Sequence, residues 1–395
     1  MKFQASKRLW MLSATGTALV LAGGLGSLSA AAQTPAQPTV RGVVAHYATL
    51  VHANYEDTLL AAQELQKAVR AFTAAPTQAR LEAARKAWLD AREYYGQTEA
   101  FRFYGGPIDD EEGPEGRINA WPMDESYVDG VEGKPGGGLV NDPKFKISKK
   151  TLSDANEKGG EENIATGWHA IEFMLWGQDL NDKGPGERAY TDFVDGKLPN
   201  ADRRRLYLNV VTDLLIDDLR FLVQAWAPKQ KNYRAEFEQG GQESLRKIIV
   251  GLGSLSRGEL SGERMEVALN TQDQEDEHSC FSDNTHRDIV TNATGIQNVW
   301  LGSYKRRSGQ AVQGASLRAL VAAKDKALAD KTTAQIAQSV AHATSIPAPF
   351  DQAILDGSPG QPIVKKTIAS LVEQSKLLVE SASAIGITKL TLVEP

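Results

Sequence analysis

His169 and Glu172 stand three residues apart in the stretch Gly167-Trp168-His169-Ala170-Ile171-Glu172-Phe173-Met174-Leu175-Trp176-Gly177-Gln178-Asp179. On a helix that spacing sends both side chains off one face, a turn apart. An imidazole and a carboxylate so placed can hold a metal ion or share a proton. The flanking Trp168, Ile171, Phe173, Met174, Leu175 and Trp176 are too apolar for an ordinary surface helix. The polar pair is therefore carried toward a core or an interface, where it needs partners.

Two ligands do not close a metal site, so further donors are required. Glu99 is one candidate, with Arg102 three residues on to orient it or to hold a ligand carboxylate. A second group crowds around Cys280, where Asp276, Glu277, His278, Asp283 and His286 fall within eleven residues. Carboxylate and imidazole donors suit iron, manganese or zinc. The pair is not His-Glu-x-x-His, so the usual zinc-protease helix is absent. The competing reading is a hydrogen-bonded core histidine, and Gln272 to His278 also reads as a solvated helix end. Cys280 beside His278 lacks a third triad member, and His46 and His52 read as structural. The tryptophans read as core rather than as a haem or carbohydrate pocket.

The elements that must position these residues are helical. Val44, Tyr47, Val51, Tyr55, Leu59, Leu65, Val69 and Phe72 recur at three- and four-residue spacing until Pro76. Leu81, Ala84, Trp88, Ala91, Tyr95, Thr98 and Arg102 mark a second helix over 77–104, completing an αα-hairpin. Gly and Pro residues crowd 105–163, which predicts an ordered but irregular excursion that returns the chain to the His169 helix. Further helices are expected over 203–226, 242–255, 261–276, 289–304, 316–328, 333–344 and 363–385. No run alternates strictly in Val, Ile or Thr, so no sheet is expected. The fold class is all-α, with one helical bundle over 43–235 and another over 236–395.

The 395 residues open with Lys2, Lys7 and Arg8, an apolar stretch from Leu9 to Leu28, and Ala30-Ala31-Ala32. This pattern predicts a signal peptide over 1–32 and a flexible leader over 33–42, hence a periplasmic or extracytoplasmic protein. The formal net charge is −6 and becomes more negative once those three basic residues are removed. Such a surface argues against nucleic acid as a partner. The lone Cys280 cannot form an internal disulfide.

The Gly167-x-His169-x-x-Glu172 stretch resembles the signature of the imelysin-like proteins. Thr98 to Phe103 and Asp276 to Thr285 resemble that family's iron-regulated branch. The resemblance implies two helical bundles with a site near their interface that includes His169 and Glu172. It implies a link to bacterial iron uptake, with a metal ion (iron or zinc) or an iron-related small ligand bound, and a membrane-associated uptake partner. The expected function is metal or ligand binding through His169 and Glu172, with Glu99 and Asp276 or His278 completing the site. The alternative is a metallopeptidase in which the same pair holds zinc and activates water.

Overall fold

The computed structural model describes residues 38–181 and 183–393. The expected signal peptide, and the leader as far as residue 37, lie outside the described residues. Helix α1 (Val40–Ala74) starts where Thr39 caps it by accepting the Gly42 amide at 3.1 Å. Its buried stripe includes Tyr47, Val51, Tyr55, Leu65 and Phe72, at the spacing read from the sequence. Pro76 follows its end, Thr77 caps α2 (Gln78–Thr98), and the two pack as a hairpin. Helix α2 ends at Thr98, six residues before the expected end, and gives way to a 3-10 turn, Glu99–Phe101.

The excursion over 105–163 is ordered and carries only short helices at Glu115–Ile118, Glu125–Val128 and Lys149–Ala155. It covers α3 (Gly167–Trp176), all ten residues of which are buried. At roughly 1.5–3 kcal/mol for each large apolar side chain, that burial outweighs the cost of carrying His169 and Glu172 inside. Gly167 permits it, because a Cβ there would lie 2.4 Å from the Ile118 carbonyl oxygen, and its φ is +83°. Helix α4 (Ala201–Ala225) packs on α1 and α3. The short helix Tyr233–Phe237 straddles the 235–236 boundary of the expected division, and Phe237 packs on Tyr47 and Trp226.

Helix α5 (Gln242–Ser254) does not stop at residue 255. It runs on through a π-wound stretch, Leu255–Glu266, and a last α-turn, Val267–Thr271. The two helices expected here are one. Helices α6 (Thr285–Leu301), α7 (Lys326–Thr344) and α8 (Gln361–Ala384) complete the second set, and α6 packs against α2 of the first. One contiguous apolar core runs through both sets.

Among the described residues the fold is all-α apart from one antiparallel hairpin, β1 (Ser303–Lys305) with β2 (Ala311–Gln313). No sheet was expected because three-residue strands are too short to show alternation. Gly302, in the left-handed region at φ +62°, stops α6 before residue 304 and frees Tyr304 to enter the hairpin. Buried Asp57 on α1 anchors it, accepting from the Tyr304 hydroxyl at 3.0 Å, Arg306 Nη2 at 3.0 Å and the Arg307 amide at 2.9 Å.

Gly167→Ala should lower unfolding free energy by about 2 kcal/mol or more, from the left-handed φ and the clash with Ile118. Gly136→Ala, whose new Cβ meets nothing within 4 Å, should stay within about 0.5 kcal/mol of wild type. Denaturant unfolding of both variants checks the difference.

Candidate functional site

The interior site is built around Arg92 of α2, whose side chain is 1 % exposed. Its Nη1 donates to Asn119 Oδ1 at 2.7 Å, and its Nη2 lies 3.1 Å from Asp288 Oδ2 on α6. The guanidinium also lies over the rings of Trp88, Tyr95 and Trp168, each at 5.2–5.7 Å. Asp288 accepts further from His278 Nδ1 at 2.8 Å and from the Ser279 hydroxyl. Burial pushes the Asp288 carboxyl up, but Arg92 and His278 hold it well below the ordinary range.

These contacts fix the protons. With Asn119 Oδ1 accepting from Arg92, its Nδ2 must donate, and it reaches His278 Nε2 at 3.3 Å. His278 is therefore neutral, with its proton on Nδ1 toward Asp288. Burial first, and then Arg264, lowers its pKa well below the usual histidine value.

Asn119 Nδ2 also lies 3.5 Å from Glu99 Oε1, which joins this cluster to a second one. Glu99 Oε2 accepts from Arg102 Nη1 and Arg264 Nη2, both at 2.7 Å. Against the upward push of burial, these two guanidinium groups draw Glu99 down to about 2. Arg264 reaches it from the π-wound stretch, where it also donates to Glu259, five residues back. Winding that closes i→i+5 bonds sets residues five apart on one face, which an α-helix does not.

His169 lies on the other side of His278, with ring centroids 4.8 Å apart. Its Nδ1 is 2.9 Å from Glu172 Oε2, and Glu172 Oε1 accepts from the Ser282 amide at 3.0 Å and hydroxyl at 2.6 Å. His169 Nε2 is buried without a hydrogen-bond partner. The ring lines a cavity of about 10 Å³ together with Trp121, Glu275, Glu277, His278, Cys280 and others. That is room for one water-sized body.

Burial raises Glu172 to about 8, against the hydrogen bonds from Ser282, and burial with Arg92 lowers His169. With Oε1 taken by two donors, the acid proton sits on Oε2 and points at His169 Nδ1, leaving a proton on Nε2. When Glu172 ionises, its proton passes to Nδ1, the Nε2 proton is released, and Nε2 offers a lone pair to the cavity. One proton therefore decides whether Nε2 donates or ligates.

The structure thus brings His169, Glu172 and His278 together, with Glu99 linked through Asn119. Arg102 sits against Glu99. Asp276 is half-exposed on a 3-10 turn, outside the hydrogen bonds of the cluster. Among the described residues no group of three or more His, Cys, Asp and Glu side chains is arranged to hold a metal ion. Burial raises the Cys280 thiol well above its usual range, so it is no ready thiolate. Arg92, Asn119, Ser282, Asp288 and Arg264 were not read from the sequence. Only Arg92 and Arg264 left a trace there, as charges within otherwise apolar helical stripes.

The family model described as Imelysin matches residues 51–378. The iron-regulated protein A of Synechococcus elongatus is 28% identical over 351 residues, covering 86% of this chain and 85% of the relative. A crystal structure of a candidate iron-regulated protein A precursor from Parabacteroides distasonis superposes with a TM-score of 0.68 at 18% identity. It covers 88% of this chain and 97% of its own, and shares the fold.

Glu172 in the folded protein holds its proton to about pH 8, whereas an unfolded glutamate releases it near about 4.3. Between those values the folded state binds the extra proton, so this residue's contribution falls as pH rises, by at most about 1.4 kcal/mol per pH unit. Glu172→Gln keeps the shape and removes that slope. Its melting temperature relative to wild type should climb steadily from pH 5 to pH 8, and parallel curves would refute the assignment.

Proposed function

The chain belongs to the imelysin family, and we propose that it is an extracytoplasmic, iron-linked binding protein that takes a small metal cation at His169. One observation carries the reading: a fully buried histidine nitrogen without a partner, on the wall of a cavity shared with His278 and Glu277. Nitrogen and carboxylate donors there suit ferrous iron, manganese or zinc in type. The cavity volume of about 10 Å³ fits an ion and leaves no space for haem. The names of the relatives, iron-regulated protein A in two distant bacteria, support iron as the cargo.

In this reading His169 is the ligand and Glu172 its positioning residue. A ligating histidine commonly gives its other N–H to a carboxylate, which fixes the ring and raises its basicity. Glu172, held by Ser282 from the opposite helical set, is built for that part. Glu277 is the nearest further donor, and His278 could join only by exchanging the Asn119 amide for the ion, so closing the site requires side-chain movement. The bound cation would supply a positive charge that favours the ionised form of Glu172. The signal peptide expected over 1–32 supports placement outside the inner membrane, where a membrane-associated partner would receive the cargo.

Hydrolysis is the weaker reading. A general base must face the water it activates, whereas both Glu172 oxygens are engaged and the side chain is 0% exposed.

Calorimetric titration with ferrous, manganous and zinc ions tests the proposal. His169→Ala should abolish tight binding, and Glu172→Gln should weaken it by about 10–100-fold. Unchanged affinity in His169→Ala would remove the site.

A further inference from the structure

We propose that a separate pocket, at the C-terminal end of α3, binds a small zwitterion of the amino-acid class with an apolar side chain. The pocket encloses about 550 Å³, within the range of small-molecule sites. It is bounded by the excursion around Asp129, the end of α3 at Gly177, and the loop carrying Arg188.

Its interior wall is charged and preorganised. Asp129 is fully buried between Arg204, which grips both its oxygens at 2.7 and 2.9 Å, and Arg188 Nη1 at 2.8 Å. Asp129 offsets one of the two guanidinium charges, and Asp192 stands 3.9 Å from Arg188 Nη1, beyond hydrogen-bond distance. Arg204 is saturated, since its Nη1 also donates to the Pro199 carbonyl oxygen at 2.6 Å. Arg188 is not. Its side chain is 6 % exposed, its Nη1 is engaged, and its Nε is buried without a partner. The guanidinium carbon lies over the Phe173 ring, 5.1 Å from its centroid. Gly177 leaves the space beside it clear, because a Cβ there would come within 3.4 Å of Nε. A rigid, underused guanidinium calls for an acceptor, and a carboxylate matches its donors best.

The remaining wall has the opposite sign. Glu132 and Glu187 are exposed and Asp192 is partly so. Leu180 and Leu198, 67 and 45 % exposed, stand beside them with Pro135 and Pro199. A carboxylate on Arg188, an amine toward the rim acids and an apolar side chain against the leucines use all three features at once. A simple anion would meet the rim acids, and a simple cation would leave Arg188 unanswered.

Titration calorimetry of the full-length protein with L-leucine, glycine, 4-methylpentanoate and 3-methylbutylamine tests this. L-leucine should bind at least about tenfold tighter than each of the other three. Arg188→Gln should erase that preference, and the surface variant Leu198→Asp should shrink the margin of leucine over glycine. If Arg188→Gln does not fold, as judged by circular dichroism, the ligand series and Leu198→Asp decide alone. His169→Ala should leave leucine binding unchanged, which separates this pocket from the cation site. Equal binding of the amine and leucine, or no leucine binding at millimolar concentration, would overturn the proposal.

Discussion

A guanidinium withdrawn from water imposes more on its surroundings than any apolar contact does, and Arg92 is withdrawn almost completely. Leaving such a charge unanswered costs several kcal/mol. The chain answers with the neighbouring rings of Trp88 and Tyr95 on α2 itself and from three distant places: Asn119 in the excursion, Trp168 on α3 and Asp288 on α6. Meeting that demand ties the first helical set to the second. It also sets the Asn119 amide and, through it and Asp288, the tautomer of His278. The polar interior is thus a chain of consequences from one buried charge.

His169 lies where that chain stops. Glu99, Glu259, Asp288 and His278 all have their charges or lone pairs met, whereas His169 Nε2 does not. A fully satisfied network specifies a structure, and an unsatisfied buried atom at a cavity specifies a place for something else. Ser282 lends two donors to Glu172 from the far side of the interface, so the motif helix alone does not make the site. The two helical sets make it together.

Much of this was legible in the sequence. The three- and four-residue spacing of Val44 to Phe72 marked α1, and Pro76 marked its end. The His169 and Glu172 pair stood out because it sat in an apolar run, and His278 and Glu99 because they stood near helix ends. The legibility ended where partners are far apart in the chain. Arg92 and Asp288 meet across 196 residues, and no local spacing records that. Asp276 and His278 looked alike as donors, yet two residues separate a half-exposed turn from the core. The π winding that pairs Arg264 with Glu259 has no local spacing signal, although Gly251 on α5 and Gly258 in the π-wound stretch do let other backbone come close. The three-residue strands were too short to announce themselves.

The central claim is that the unpartnered nitrogen of His169 marks the point of cation capture. Anomalous diffraction from crystals soaked in manganous or zinc ions tests it most directly. The account predicts a strong peak about 2.0–2.3 Å from His169 Nε2, with Glu172 still joined to Nδ1. Saturating metal with no peak at that nitrogen, or a peak held by Glu172 alone, would contradict it.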